Sequence, residues 1–153
     1  MIDQIPDQAG RTAVVTGANV GLGRETARVL ASRGATVILA CRDVTKGEAA
    51  ADWIVRTSAV ERESLRVVRL DLASLASVGE AAEEIRASCP RLDLLINNAG
   101  VMAIPFGRSE DGVELTFAVN HLGHFALTGL LLERLLATPG RAPSRARARR
   151  SHR

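Results

Sequence analysis

The sequence predicts an α/β fold in which a doubly wound parallel sheet is covered by helices on both faces. Three observations support this fold class. Short apolar runs alternate along the chain with segments whose apolar residues recur at helical spacing. Each strand–helix unit has the length of a βαβ unit, and a glycine-rich turn joins the first strand to the first helix. Right-handed crossovers then predict the strand order 3-2-1-4, with the sheet truncated after the fourth strand and the long helix that follows it.

Two β-rich runs predict the first half of the sheet. Residues 12–16 (TAVVT) and 36–40 (TVILA) are continuous apolar, β-branched runs, which are typical of buried parallel strands. The helix between them should end at Gly34, since glycine accepts the backbone conformation that often follows a helix. Helical spacing predicts the inner faces of the first two helices: Leu22, Thr26, Val29 and Leu30 in the first, and Ala50, Trp53 and Ile54 in the second.

The second half of the domain continues the alternation. Residues 65–70 and 92–96 predict the third and fourth strands. Ser74 is a candidate N-cap for the helix between them, because its hydroxyl can accept a backbone N–H of the first turn. A long helix is then predicted from about Asp111 to Ala137. The inner face of the third helix should carry Leu75, Val78, Ala82 and Ile85.

The last residues differ sharply in composition from the rest. Residues 140–153 (GRAPSRARARRSHR) hold six arginines, no acid and no large apolar residue. They carry +6 of a total net charge of +3, so the preceding part is at −3 and the high pI gives no reason to expect nucleic-acid binding by the folded body. The chain therefore divides into one folded domain, residues 1–139, and a disordered arginine-rich tail, residues 140–153.

Composition also excludes several protein classes. Two cysteines, Cys41 and Cys89, are too few for a disulfide framework, and the first residues are too polar for a secretory signal. Both observations predict a reducing, cytoplasmic location. The best apolar stretch is interrupted by Glu133 and Arg134, so no membrane span or membrane partner is expected.

The turn after the first strand has the chemistry of a phosphate site. Residues 16–23 read TGANVGLG, directly between a strand and a helix. Gly17 permits the tight turn, Gly21 lets the backbone approach a pyrophosphate, and Gly23 allows close helix–strand packing. The helix N-terminus then offers free N–H groups to the phosphates. The alternative, a glycine-rich turn without a ligand, is disfavoured by the strand–turn–helix context, which predicts dinucleotide binding.

The spacing Gly-x-x-x-Gly-x-Gly resembles that of the short-chain dehydrogenase/reductase family. Three further segments resemble the family in order: Asp71-Leu72, Asn97-Asn98-Ala99-Gly100, and residues 119–125 (VNHLGHF). Residues 40–48 (ACRDVTKGE) and the VNHLGHF segment are most similar to the retinol-dehydrogenase-like and protochlorophyllide-reductase-like group. The resemblance covers residues 10 to about 139 and implies a Rossmann-type fold, a bound dinucleotide, and a small-molecule carbonyl or alcohol substrate that the sequence does not identify.

The choice between NADP and NAD depends on the end of the second strand. Asp43 lies about 20 residues beyond the glycine turn, where an acid would bind the ribose of NAD. However, the acid of NAD-type members sits at the strand tip, and here the tip is followed by Arg42, which suits the 2′-phosphate of NADP. Lys46 is a candidate helper. The sequence therefore favours NADP over NAD; the alternative is that Arg42 is only a solvated loop arginine.

The resemblance implies a role for most of the cofactor residues. Asp71 would contact the adenine edge, or it would only form a turn at the strand end. Asn98 would sit beside the adenosine ribose, or stabilise the central strand, or do both. The full candidate set is Thr16, Gly17, Asn19, Gly21, Leu22, Gly23, Arg42, Lys46, Asp71, Leu72, Asn98, Ala99 and Gly100.

The catalytic half of the family pattern is missing from this sequence. The resemblance implies a tyrosine acid/base, a lysine four residues later, a serine, and an asparagine in the long helix, which Asn120 matches. Asn120 should be partly buried on the face of Phe117 and Leu127, so its amide would need partners. The chain has no tyrosine, and Ser144 and Ser151 lie in the tail. We therefore expect it to be inactive as given, with weak NADPH binding and poor solubility from a bare fourth-strand edge.

Three alternatives remain for the chain as a whole. A frameshift or wrong gene-model end after about residue 140 would explain the tail, and the coding DNA should then encode a valine-rich strand, serine and Tyr-x-x-x-Lys in another frame. The chain could instead be a non-catalytic dinucleotide-binding module. A basic-tailed nucleic-acid-binding protein is disfavoured, because the tail has no interleaved aromatic residues. A metal pair formed by His121 and His124 is also disfavoured, since no third ligand is suggested.

Overall fold

The computed structural model describes residues 5–137, in which strands and helices alternate as the sequence predicts. The predictions for residues 138–153, including the tail with Ser144 and Ser151, concern residues outside the described part of the chain. The elements are β1 (Thr12–Thr16), α1 (Gly21–Ser32), β2 (Thr36–Cys41), α2 (Val44–Ser58), a 3₁₀ turn (Arg62–Ser64), β3 (Leu65–Arg69), α3 (Leu75–Ser88), β4 (Leu94–Ile96), α4 (Leu115–Phe117), a π-helical segment (Ala118–Leu122) and α5 (Gly123–Ala137).

The four strands form one parallel sheet in the order β3-β2-β1-β4, which confirms the predicted topology. Successive side chains of a strand point to opposite faces, so the apolar runs supply two cores. Ala13 and Val15 of β1 face α1 and α2, and Val14 faces α3 and α5. All three are fully buried. Burial on both faces is why these strands are continuous apolar runs rather than alternating ones.

The inner face of α1 differs from the prediction. Leu22 is 80% exposed, and the buried residues are Gly23, Ala27, Leu30 and Ala31. The helix is seated on the backbone of the glycine turn at Gly23, which turns Leu22 toward the open end of the sheet. The prediction for Leu22 was therefore wrong for packing, because helical spacing cannot show that the first turn of the helix faces the open end of the sheet rather than the core. Leu75 in the first turn of α3 is likewise exposed.

The long helix begins later than predicted, at Leu115 rather than near Asp111. The Asp111 carboxylate instead accepts the N–H of Leu75 at 2.9 Å, so it caps α3 from a distance. Glu114 accepts the N–H groups of Thr116 and Phe117 at 3.0 and 2.7 Å and so caps the true start. Two acidic residues three positions apart can both cap a helix, and the sequence does not show which helix each one caps. Ser74 caps α3 as predicted, with its hydroxyl accepting the N–H of Ser77 at 3.3 Å.

One face of the long helical stretch is apolar and exposed. Leu127 and Leu131 are fully buried against α3 and the sheet, whereas the opposite side exposes Phe117, Phe125, Leu132 and Leu136. By length and composition Leu115–Ala137 would also pass for a membrane span, a test that the core helix of a soluble protein passes as well. Within residues 5–137, β4 pairs with β1 alone, so its other edge is free, as the sequence predicted.

Candidate cofactor site

A cleft of about 500 Å³ lies where the carboxyl ends of the strands meet. This is where ligands bind in open α/β sheets. The strand order reverses between β1 and β4, so the connections that follow these two strands leave in opposite directions and open a crevice there. The structure brings together in its walls every predicted cofactor residue except Thr16: Gly17, Asn19, Gly21, Leu22, Gly23, Arg42, Lys46, Asp71, Leu72, Asn98, Ala99 and Gly100. The other lining residues were not predicted to bind the cofactor: Val20, Ala40, Cys41, Leu70, Val101 and Val119. Asp43, the acid that residue counting assigned to NAD, lines the cleft as well.

Thr16 lies beneath the cleft and ties β1 to the segment after β4. Its side chain is fully buried, and its Oγ1 accepts the N–H groups of Asn98 and Ala99 at 2.9 and 3.0 Å. The Asn98 amide group donates in return to the Thr16 carbonyl oxygen at 2.9 Å. Asn98 therefore stabilises the central strands, which confirms one of its two predicted roles, while it also lines the cleft.

The glycine turn brings the end of β1 and the start of α1 into backbone contact. Gly17 has a φ of +65° and donates its N–H to the Ala40 carbonyl oxygen at 2.8 Å. A Cβ at Gly23 would lie 2.4 Å from the Gly17 carbonyl oxygen and 2.5 Å from the Asn98 amide nitrogen. The predicted packing role of Gly23 is confirmed, because no side chain fits there. Gly21 faces open space instead, with no atom within 4 Å of a Cβ placed on it.

The first turn of α1 offers unpaired backbone donors to the cleft. Its N-cap residue, Val20, provides no side-chain hydrogen bond, unlike Asp43 and Ser74 at the next two helices. The first N–H groups of a helix need an external acceptor, and the positive end of the helix dipole favours an anion there. Since Gly21, Leu22 and Gly23 line the cleft, an anion in the cleft would meet these donors.

Two charged residues follow β2: Arg42, which has no ion pair with another described residue, and Asp43, which caps α2. The strand ends at Cys41, one residue later than predicted, so Arg42 follows it directly. Arg42 is exposed and has no hydrogen bond or ion pair with the other described residues. Asp43 accepts the Lys46 N–H at 3.0 Å as the cap of α2, and its other oxygen lies 3.7 Å from Lys46 Nζ. The acid that residue counting assigned to the ribose is therefore already used by the protein.

The Cys41 thiol in the cleft wall is unreactive at neutral pH. Burial, followed by the negative charges of Asp43 and Glu48, raises the pKa of Cys41 to about 11. The thiol therefore stays protonated at neutral pH, and the protonated form is a poor nucleophile and metal ligand.

Asp71 shapes the wall that follows β3. Its Oδ1 accepts the N–H of Ala73 at 3.0 Å, and its own N–H donates to the hydroxyl of Ser77 at the same distance. This is the turn-forming role that the sequence offered as an alternative, and Asp71 lines the cleft at the same time. Leu72 lies beside it, with its carbonyl oxygen 2.4 Å from where a Cβ on Gly123 would be.

Asn120 holds the far wall of the cleft but is not buried. Its amide exchanges two hydrogen bonds with the backbone of Val101, each 2.8 Å long. The expectation that this amide needs partners is confirmed, whereas the expected partial burial is wrong: Asn120 is exposed and Phe117 is 51% exposed. The cause is the π-helical segment, which adds a residue to this turn and changes the faces on which residues before and after it lie.

The two histidines of the VNHLGHF segment lie on different faces of the helix. His121 is exposed and stacks between Phe117 and Phe125, with ring centroids 5.0 and 6.2 Å apart. His124 is buried, with Nε2 2.9 Å from Thr16 Oγ1. From the sequence these residues were part of the family motif and a disfavoured metal pair, and neither interpretation predicted the contact between His124 and Thr16. Only the three-dimensional meeting of β1 with the long helix reveals it.

Comparisons with known proteins agree with this geometry. A sequence model described as short chain dehydrogenase matches residues 11–142. Human retinol dehydrogenase 13 is 53% identical over 136 residues, which is 89% of this chain and 40% of that protein. A crystal structure from Mycobacterium paratuberculosis has 51% identity and a TM-score of 0.76 over 88% of this chain and 46% of its own. A metagenomic short-chain oxidoreductase in complex with NADP has 33% identity and a TM-score of 0.71, over 84% and 58%. The chain spans about 40% of the length of the curated relatives it matches.

Proposed function

The chain belongs to the short chain dehydrogenase family, and from that premise we propose that it is the NADP-binding part of an oxidoreductase that transfers hydride between a nicotinamide and a carbonyl or alcohol group. The observation that carries the choice of cofactor is the pairing at the end of β2. Arg42 is exposed and without a partner among the described residues, while Asp43 is engaged as the cap of α2 and by Lys46. A free guanidinium suits a 2′-phosphate, whereas Asp43 also lines the cleft but shares its two oxygens with the Lys46 N–H and the Lys46 ammonium, which makes it a weaker acceptor for ribose hydroxyls.

The residues present fit the other parts of such a cofactor. The uncapped first turn of α1 offers N–H groups to a pyrophosphate, and the open space beside Gly21 lets it approach. The wall between Asp71 and Gly100 would hold the adenosine end. When bound, the nicotinamide would supply or accept the hydride. The residues of this chain position the cofactor, and the NADP named in the metagenomic relative supports the same assignment.

Replacing Arg42 with alanine is expected to weaken NADPH binding by about 10- to 100-fold and to leave NADH binding within about twofold. A charge-assisted hydrogen bond to phosphate contributes about 1.5–3 kcal/mol, and only NADPH carries the 2′-phosphate. Energy transfer from Trp53, the single tryptophan, to the reduced nicotinamide provides the titration signal. Arg56→Ala, an exposed arginine in the last turn of α2, is the matched control and should change neither affinity. Equal losses for both nucleotides in Arg42→Ala would contradict the assignment.

We propose further that the 153-residue chain alone does not turn over substrate. The family pattern uses a tyrosine as the acid/base, and this chain contains none. General acid/base catalysis contributes about 10²–10⁴-fold, so its loss leaves no practical rate. Because relatives are named retinol dehydrogenases, retinal is the first carbonyl compound to test for the whole protein. NADPH absorbance with retinal should not fall faster than in buffer, and a steady decrease that co-purifies with the chain would refute this proposal.

We also propose that the protein works in a reducing compartment such as the cytoplasm. Cys41 and Cys89 are both free and both buried, so neither contributes a disulfide to the fold. Burial raises the pKa of the Cys89 thiol as well, so this thiol is protonated at neutral pH and does not supply the thiolate that disulfide formation requires.

A further inference from the structure

A buried histidine of α5 contacts Thr16, the residue that lies beneath the cleft. His124 lies in the first turn of α5 and is 6% exposed. Its Nε2 lies 2.9 Å from Thr16 Oγ1, and its Nδ1 lies 3.5 Å from the carbonyl oxygen of Asn120. The ring therefore connects the end of β1 with the π-helical segment, and neither the cofactor assignment nor the family motif requires this connection.

Counting hydrogens decides which nitrogen of the ring carries the proton. A hydroxyl has one hydrogen to donate and two lone pairs. The N–H groups of Asn98 and Ala99 both donate to Thr16 Oγ1 and so face its two lone pairs, although the Asn98 N–H is shared with the Ile96 carbonyl oxygen at 3.0 Å. Its hydrogen has two candidate acceptors, His124 Nε2 at 2.9 Å and the Ile96 carbonyl oxygen at 3.4 Å, and the shorter contact is the better one. Nε2 is therefore the acceptor, and the proton of the neutral ring is on Nδ1, facing the Asn120 carbonyl.

Among the described residues, no charged group shifts the pKa of this ring, and the causes of its shift are burial and the Asn120 carbonyl. On α3, the helix packed against α5, Glu80, Glu83 and Glu84 are exposed, and Arg86 forms an ion pair with Glu83. β1 contributes no ionisable residue, and the segment after β4 contributes Asn97, Asn98 and Ala99. Asp71, after β3, uses Oδ1 on the Ala73 N–H, and His121 on the same helix is on the exposed face. Burial lowers the pKa of His124 below its ordinary value of 6.5, and the Asn120 carbonyl opposes this shift weakly. The neutral ring is thus the form that the fold selects at neutral pH.

We propose that His124 is a positioning residue of the cofactor cleft: its bare Nε2 fixes the Thr16 hydroxyl, which in turn holds the Asn98–Ala99 wall against the glycine turn. The role in cofactor binding rests on the proposed function, whereas the hydrogen-bond arrangement does not. The wall matters to the cleft because a Cβ on Gly17 would lie 3.0 Å from Ala99, so the turn and the wall are in contact.

At acidic pH, protonation of His124 should break its hydrogen bond with the Thr16 hydroxyl. A protonated ring carries N–H groups on both nitrogens, so Thr16 Oγ1 would face three donors with only two lone pairs. The unfolded chain binds this proton more readily than the folded chain, because folding lowers the pKa. The stabilising contribution is therefore complete above 6.5 and is lost as the pH falls through the lowered pKa of the folded state. NADPH affinity should fall over the same range.

The ring nitrogens can be observed directly in the unmodified chain by ¹⁵N NMR. We expect His124 to show a proton-free Nε2 and a protonated Nδ1 at pH 7.5, and a pKa below the ordinary value of 6.5. Assignment uses His124→Gln and His121→Gln, each of which removes one histidine signal. A protonated Nε2 on His124, or a pKa of His124 at or above 6.5, would overturn the hydrogen-bond arrangement whether or not NADPH binds.

Two substitutions then test the positioning role. His124→Gln keeps an acceptor and a donor without a titratable ring, so NADPH affinity at pH 7.5 should stay within about twofold. His124→Leu removes the acceptor, and affinity should fall about tenfold, as expected for one lost hydrogen bond in the cleft floor. Between pH 7.5 and the midpoint of the His124 titration measured by NMR, the unmodified chain should lose more affinity than His124→Gln, a comparison in which titration of the 2′-phosphate cancels.

The outcomes separate the two proposals. Parallel pH profiles for the unmodified chain and His124→Gln would overturn the positioning role, even if His124→Leu did not fold. If the unmodified chain bound no NADPH while His124 showed the expected ring protonation, the proposed cofactor would fail and the hydrogen-bond arrangement would stand. If NADPH bound but Nε2 of His124 carried a proton, the proposed cofactor would stand and the hydrogen-bond arrangement would fail.

Discussion

Gly23→Ala should lose about 3 kcal/mol or more of unfolding free energy. The added Cβ would lie 2.4 Å from the Gly17 carbonyl oxygen, 2.5 Å from the Asn98 amide nitrogen and 2.9 Å from the Gly17 carbonyl carbon. Two of these atoms belong to the backbone, which cannot move without breaking the turn or the β1–β4 connection. Urea unfolding followed by Trp53 fluorescence measures the loss.

Two other glycines separate crowding from backbone effects. Gly79 lies inside α3, and a Cβ placed there meets nothing within 4 Å, so Gly79→Ala should stabilise the chain by about 0.5–1 kcal/mol. Gly21 also has open space but a φ of +55°, so Gly21→Ala should cost only about 1 kcal/mol while it weakens NADPH binding. If Gly23→Ala unfolded at the same urea concentration as Gly79→Ala, the described contact between α1 and the glycine turn would be incorrect.

Replacing Thr16 with valine should destabilise the chain by about 1–3 kcal/mol, because the Ala99 N–H loses its acceptor. Valine has nearly the shape of threonine and fills the same fully buried space. However, it offers no oxygen to the N–H groups of Asn98 and Ala99, which lie 2.9 and 3.0 Å from Thr16 Oγ1. The Asn98 N–H keeps a second acceptor, the Ile96 carbonyl oxygen at 3.0 Å, whereas the Ala99 N–H is left unsatisfied.

The conservative replacement at this position isolates the hydroxyl. Thr16→Ser keeps Oγ and loses one methyl group, so a cost of about 0.5–1.5 kcal/mol is expected. Denaturant unfolding of both variants, with amide hydrogen exchange at Asn98 and Ala99, provides the comparison. Exchange at these two amides should accelerate in Thr16→Val and stay slow in Thr16→Ser. Equal exchange in the two variants would show that the hydroxyl does not hold the segment.

The fold was predictable because its strands and turns follow local rules. Continuous apolar runs, a glycine turn and right-handed crossovers led to the observed strand order. Ser74 was found as a cap from its position alone. The errors fall where two local signals compete: Asp111 and Glu114 are both acceptable caps, and Leu22 is apolar but faces the cleft. Such choices depend on contacts with residues distant in sequence.

The candidate site was predictable in its residues and not in its bonds. Motif spacing assigned the cleft residues, and all but Thr16 line the cleft. The partners of those residues came only from the structure. Asn120 bonds to Val101 across nineteen positions, and Thr16 meets His124 across 108. Distances of that kind are set by how β1, β4 and the long helix pack together, and a single sequence carries no local sign of them.

The π-helical segment at Ala118–Leu122 limits how this part of the gene can change in length. Each residue of an α-helix advances by about 100°, so removing one residue here would restore a regular helix and rotate everything beyond it. The buried side of α5, with His124, Leu127 and Leu131, would turn away from the core, while Glu114 stayed in place as the cap. Point substitutions can alter single contacts in this stretch, but a one-codon deletion or insertion would misdirect the whole helix.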